Sequence, residues 1–190
     1  GTRGVALVDK AGAVSPPTLA LQVMVSDTDR HTICFGCNPI GSAILDPLFV
    51  RWSDQESPFD WTPTSLNTSG GVTLTAGSYI VGAIKTRQEI LIFTNNSIHS
   101  MRFSGAPFTY EFDVVNEGLS MVSPNAATNA GDMVFFMDRG GFYFYNGAIQ
   151  RLKCTVLDYV FSNLNSSEEF KIFATTSLDF SEVYWFYPVG

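Results

Sequence analysis

Apolar residues in this chain recur mostly at every second position. Leu19, Leu21, Val23 and Val25 alternate with Ala20, Gln22 and Met24. In FTYEFDV, Phe108, Tyr110, Phe112 and Val114 fall on one face, and Thr109, Glu111 and Asp113 on the other. A period of two is that of a pleated strand, whose side chains point alternately to opposite faces. Leu48, Val50 and Trp52 repeat the pattern. Turn chemistry separates the runs. SDTDR at 26–30, NN at 95–96, DRGG at 138–141 and NG at 146–147 are hairpin signals. Side chains of Asn and Asp close such turns, and Gly accepts positive φ. One stretch departs from this pattern. Thr155 is placed to cap a segment in which Val156, Val160 and Leu164 recur every four residues, beside Leu157 and Phe161. This spacing predicts one short helix near 155–164, followed by the polar NSSEE.

The strand pattern also repeats at a longer interval. IFTNNSIHSMRFSGA and FFMDRGGFYFYNGA each read as an apolar strand, a polar turn, a second strand and Gly-Ala. Phe93 aligns with Phe136, 43 residues on, and Gly105 with Gly147, 42 residues on. VYWFYP at 183–188 reads as a third copy of the first strand and HTICFG at 31–36 as a fourth. A spacing of 40–50 residues with several strands per unit is the signature of propeller blades, which cannot bury both faces alone. An antiparallel β-sandwich is the alternative. The repeat favours blades because it pairs turns as well as strands. The expectation is therefore an all-β chain of propeller-like blades, 1–190 being one such domain or part of one. The GTRG start and the YWFYPVG end read as cuts, which predicts a fragment of a larger subunit.

Composition narrows the function classes. At 45% hydrophobic and 14% aromatic, the 190 residues are too apolar for disorder. The net charge of −7 argues against a dedicated nucleic-acid grip, which needs clustered Lys and Arg. No apolar run approaches a membrane span, and no signal peptide is visible. Three cysteines, Cys34, Cys37 and Cys154, suggest a reducing compartment with no disulfide framework.

The residues most suggestive of chemistry lie in VRWSDQESPFDWTP, 50–63, where Trp52 and Trp61 bracket Asp54, Glu56 and Asp60. Trp52, Trp61 and, further on, Tyr143 are candidate stacking platforms for a sugar. A calcium loop wants alternating oxygen ligands and a Gly at the sharp turn, but here Pro58 interrupts. Nothing places the carboxylates as a glycosidase pair. The Ser53-Asp54 and Trp61 spacing echoes an Asp box, a folding element of sugar-processing propellers, but the Gly is missing. The structural reading uses more of these residues. Asp54 closes an Asx-type turn, Pro58 and Pro63 fix the loop's path, and Trp61 seats the returning chain on the core. It predicts a buried Trp52 and an Asp54 that accepts backbone hydrogen bonds and binds no metal. Cys34-Phe35-Gly36-Cys37 has the spacing of a redox pair or half a zinc site. It lacks both a helix start and a second ligand pair, and so reads as buried thiols beside a turn. His31 and His99 are the only histidines; no G-x-S-x-G elbow accompanies them, and His99, on a strand beside Met101 and Phe103, reads as a packed or surface residue rather than a base. No catalytic, cofactor or metal residue is assigned.

The same stretch carries a family resemblance. Arg51-Trp52-Ser53-Asp54-Gln55-Glu56, Asp60-Trp61-Thr62-Pro63-Thr64, Asn67-Thr68-Ser69-Gly70 and Gly77-Ser78-Tyr79-Ile80-Val81-Gly82 occur in order. Ile90–Thr94, Gly140-Gly141-Phe142-Tyr143 and Val183-Tyr184-Trp185-Phe186-Tyr187-Pro188 follow, with VSDTDRH at 25–31 upstream. From about Pro16 to the end the chain resembles the tail nozzle, or tail tubular protein B, family of short-tailed bacteriophages. Arg51, Trp52, Ser53, Asp54, Asp60, Trp61, Pro63 and Trp185 are its structural signature here. The resemblance implies a non-enzymatic virion protein without cofactors, assembled in the bacterial host cytoplasm into the tail. Its partners would be other copies in a ring, usually a hexamer, the tail adaptor and other tail proteins. Genomic DNA would pass through during ejection without specific binding, and no segment would span a membrane. A receptor- or glycan-binding tail module of propeller type is the alternative.

Overall fold

The computed structural model describes residues 12–105, 107–177 and 179–190. The GTRG start and Ala106 of the repeat lie outside them. The chain is all-β, as the alternation predicts, with antiparallel four-stranded sheets and one short helix. It forms two compact units, one from the residues up to Ile80 with Met101–Phe112, the other from Val81–Ser100 and Asp113–Gly190.

The first sheet runs β1 (Ala20–Ser26), β2 (His31–Cys37), β3 (Phe49–Trp52) and β4 (Gly70–Thr73), paired in chain order. The SDTDR turn joins β1 to β2: Ser26 Oγ accepts from Asp29 N, and Arg30 takes φ 60° to complete the reversal. Ile33, Phe35, Val50 and Trp52 share one face with His31, while Cys34 and Arg51 share the other. Both faces of β2 are buried. In β1 the row Leu21, Val23 and Val25 is exposed, and the ends Ala20 and Ser26 are buried. This strand is the sheet edge, where the cover ends.

The next sheet, β5 (Ile80–Lys85), β6 (Ile90–Thr94), β7 (Ser97–Phe103) and β8 (Tyr110–Glu117), contributes residues to both units. The NN turn joins β6 to β7. Here the Thr94 hydroxyl accepts from the Asn96 and Ser97 amides, so a threonine side chain also helps to close the turn. In β8 Tyr110 is buried and Phe112 half-buried, but Phe108 precedes the strand and is exposed, as is Val114.

The second unit continues with β9 (Ala127–Ala130), β10 (Met133–Asp138), β11 (Gly141–Tyr145) and β12 (Ile149–Arg151), again in chain order. In the DRGG turn Asp138 Oδ2 accepts from Gly140 N. In the NG turn Gly147 takes φ 100°, which only glycine adopts without strain. The repeat has a physical counterpart. Phe93 on β6 and Phe136 on β10 are each the aromatic of a second strand, both fully buried, with ring centroids 5.1 Å apart. Around them Leu91, Ile98, Val134, Met137 and Phe142 complete the core.

The helix α1 spans Leu157–Asn163. It is not capped by Thr155: Val156 holds the cap position with no side-chain hydrogen bond. Its inward residues are Val160, buried, with Leu157, Phe161 and Leu164 packed on the core. Val156 points to solvent, because the helix starts one residue past it and turns it off that face. The polar NSSEE stretch opens a 3-10 turn, Ser166–Lys171, capped by Asn165 accepting from Ser167 N. Two further strands, β13 (Phe173–Ser177) and β14 (Glu182–Phe186), pair with each other. The VYWFYP copy thus lies on a second strand, like HTICFG, Phe93 and Phe136.

Phe136→Ala should cost about 3–5 kcal/mol in urea unfolding, because it opens a cavity against Phe93. Phe108→Ala, at an exposed ring, should stay within about 0.5 kcal/mol.

Candidate functional site

The residues singled out by sequence converge in the first unit. Arg51 and Trp52 end β3, Ser53 and Asp54 open the loop, and Asp60, Trp61 and Pro63 close it. Trp185 is not among them. It belongs to the second unit, where its Nε1 donates to the Ala126 carbonyl (3.1 Å) and its ring lies 4.8 Å from Phe142.

The loop folds back on its own strand. Asp54 N donates to the Asp60 carbonyl (2.7 Å), and Trp61 N to the Val14 carbonyl (3.2 Å). Both tryptophans are spent on this. Trp52 is 7% exposed and Trp61 3%. Trp52 Nε1 donates to the Thr68 carbonyl (2.8 Å), and its ring lies 5.1 Å from Tyr110 and 6.0 Å from Phe112. Trp61 Nε1 donates to the Pro58 carbonyl (2.9 Å). Sugar stacking needs rings in solvent, so the platform reading fails for this stretch. Tyr143, the third candidate, is half-buried and stacked on Phe136.

The carboxylates divide by role. Asp60 forms the Asx turn, accepting from Thr62 N (3.1 Å) and from Asn67 Nδ2 (3.2 Å). Asp54 reaches further than the local turn expected of it. Its Oδ1 accepts from Gln55 N (2.9 Å), Thr68 N (2.8 Å) and Thr68 Oγ1 (2.7 Å). Burial pushes its carboxyl up, but the hydrogen bonds from Thr68 and Gln55 outweigh this and hold it below its usual value. Glu56 is exposed, at φ 60°, paired with Arg30. Pro58 and Pro63 are exposed on the loop's outer path.

Thr68 is the hub. Its carbonyl also accepts from Thr109 Oγ1 (2.8 Å), and its hydroxyl meets His31 Nε2 at 3.1 Å. That hydroxyl has one proton, given to Asp54, so His31 Nε2 donates to it. His31 Nδ1 is then the acceptor, and the Tyr110 hydroxyl donates to it at 3.0 Å. The relay Tyr110, His31, Thr68, Asp54 is satisfied with a neutral imidazole and an ionised carboxylate. Burial lowers the His31 pKa, against a smaller pull from Asp29 and Asp54. Burial likewise pushes the Tyr110 hydroxyl far up. His31 is fully buried between Phe103 and Tyr110, with no free face for a substrate.

The remaining candidates are packed. Cys34 and Cys37 are buried, and burial raises both thiols, Cys37 to about 12. Such thiols are inert at neutral pH. His99 is buried, with Ser97 Oγ 3.1 Å from its Nε2, and both are closed off from solvent. Among the described residues no group of three His, Cys, Asp or Glu is placed to hold a metal ion, and no helix is long and apolar enough to cross a membrane. The residue that sequence reasoning underrated is Thr68. It was noted only within the NTSG motif, and nothing local marks it as a partner of His31 or Asp54. Comparison with protein-family models and with curated proteins gave no match.

Thr68→Val should cost about 2–4 kcal/mol, since it strands the His31 N–H and removes a donor from Asp54. Ser65→Ala, on the exposed loop, should be near neutral in the same denaturation series. The His31 shift also has a pH signature. With a folded pKa below 6.5, the contribution of the neutral ring is complete above pH 6.5 and is lost as pH falls through and below that value. The thermal midpoint should therefore fall between pH 7 and pH 5, and His31→Gln should flatten that slope.

Proposed function

We propose that this chain is a structural part of a short-tailed phage tail, of the nozzle type, acting by ring assembly and passage of DNA. The observation that carries the reading is the use made of its motif set. Much of the signature in 51–63 is used in folding: both tryptophan rings are buried, and Asp54 and Asp60 accept backbone hydrogen bonds. A stretch that looks like a catalytic or sugar site thus works as a fold signature, as expected of a protein whose role is shape. Three sheets of four strands in chain order are consistent with blades.

Charge supports passage over grip. Arg30, Arg87, Arg139 and Lys171 each pair with a carboxylate, and Arg51 is buried, on a chain of net charge −7. A wall rich in free Lys and Arg would hold phosphates and slow the exit of DNA. In this reading the partners are other copies of the chain in a ring of about six, the adaptor, other tail proteins and the passing genome.

Two measurements test it. Antibodies raised against the chain should label the tail of purified phage particles in electron microscopy; their absence from the virion would sink the reading. Fluorescence anisotropy with duplex DNA at physiological salt should show no binding stronger than about 10⁻⁴ M, the weak end of non-specific affinity.

A further inference from the structure

Arg51 is the largest fully buried side chain of the first unit, 1% exposed on a face of β3 roofed by the returning loop. A buried guanidinium is costly unless compensated, and the usual compensation is a carboxylate. Here its hydrogen-bond acceptors among the described residues are all backbone carbonyls, Ser15 O at 2.7 Å, Trp61 O at 3.0 Å and Asn38 O at 3.4 Å, and the guanidinium lies 5.9 Å from the centre of the Trp61 ring. These occupy three of the five N–H groups a guanidinium offers. Among the described residues no Asp or Glu forms an ion pair with it, although the chain has 18 acidic residues. Arg51 also lines a cavity of about 340 Å³ together with Ser15, Thr18, Asn38, Ser42 and Ala43. Among the described residues its wall holds one cation, three hydroxyl side chains and no carboxylate. The backbone around it is fixed: Asn38 Oδ1 accepts from Thr18 N and Leu19 N, each at 2.9 Å, and Nδ2 donates to Ser42 O at 2.7 Å.

We propose that this cavity binds a compact oxyanion, a phosphate or carboxylate group, over the Arg51 guanidinium with the hydroxyls at its mouth. The planar fork of Arg suits both groups, since each offers paired oxygens. The guanidinium would then take its counter-charge from solution or from a partner molecule rather than from the described residues.

Thermal unfolding of the chain in sodium phosphate, sodium acetate and sodium chloride, at matched ionic strength and pH, tests it. Phosphate or acetate should raise the midpoint saturably, by about 2–4 °C at roughly five times its dissociation constant. A response to phosphate alone identifies a phosphate site, and a response to acetate as well identifies a carboxylate site. Ala43→Glu puts a carboxylate on the exposed wall of the cavity and should abolish the response while the circular dichroism stays native. Arg51→Met should abolish it too; if that variant does not fold, Ala43→Glu carries the test. The proposal is overturned if neither anion shifts the midpoint more than chloride does, or if Ala43→Glu responds as the parent does.

Discussion

The constraint on which this fold rests is that its central strands must be buried on both faces. β2 and β6 have almost no exposed residue, yet each sits in a sheet only four strands wide. In the second unit the cover is another sheet, and Phe93 and Phe136 mark where the two meet. In the first unit one face of the sheet is closed by rings, Trp52, His31, Phe103 and Tyr110. The other is closed by the returning loop, with Trp61 beside Cys34 and Cys37.

A loop can roof an apolar face only if nearly all of its polar groups are satisfied, because an unpaired buried donor or acceptor costs about 1–3 kcal/mol; Thr62 Oγ1 is the buried exception here. This explains the unusual density of hydrogen-bonding side chains between 50 and 69. Asp54, Asp60, Asn67 and Thr68 each accept from or donate to backbone that no ladder serves. Gly70 belongs to the same solution, since a Cβ there would lie 2.5 Å from the Trp52 ring. Trp52 fits over β4 because that position has no side chain.

How much of this the sequence disclosed follows from the range of each interaction. Strands, hairpins and the repeat depend on neighbours within a few residues, or on a spacing that can be counted, and they were legible. So was the burial of Trp52, because the alternation of 48, 50 and 52 put it on one face. The relay was not legible, because its members sit at 31, 54, 68 and 110 and only the fold brings them together. The β1 row misleads for a related reason. Alternation shows that Leu21, Val23 and Val25 share a face, but not that the cover stops short of them. Thr155 failed as a cap because a capping residue type is only an option; the backbone started the helix later.

The same logic separates the two polar centres of the first unit. At Thr68 donors and acceptors match, protons can be assigned without conflict, and the charge on Asp54 is met by three hydrogen bonds. Such a centre stabilises the fold through hydrogen bonds made within the unit. Arg51 has hydrogen bonds but, among the described residues, no opposite charge, and carbonyl dipoles answer direction without neutralising the cation. Two charged groups in one signature, the buried Arg51 and the half-buried Asp54, three positions apart, therefore differ in kind. Asp54 completes the fold, and Arg51 gives it a site where a further molecule would lower the free energy.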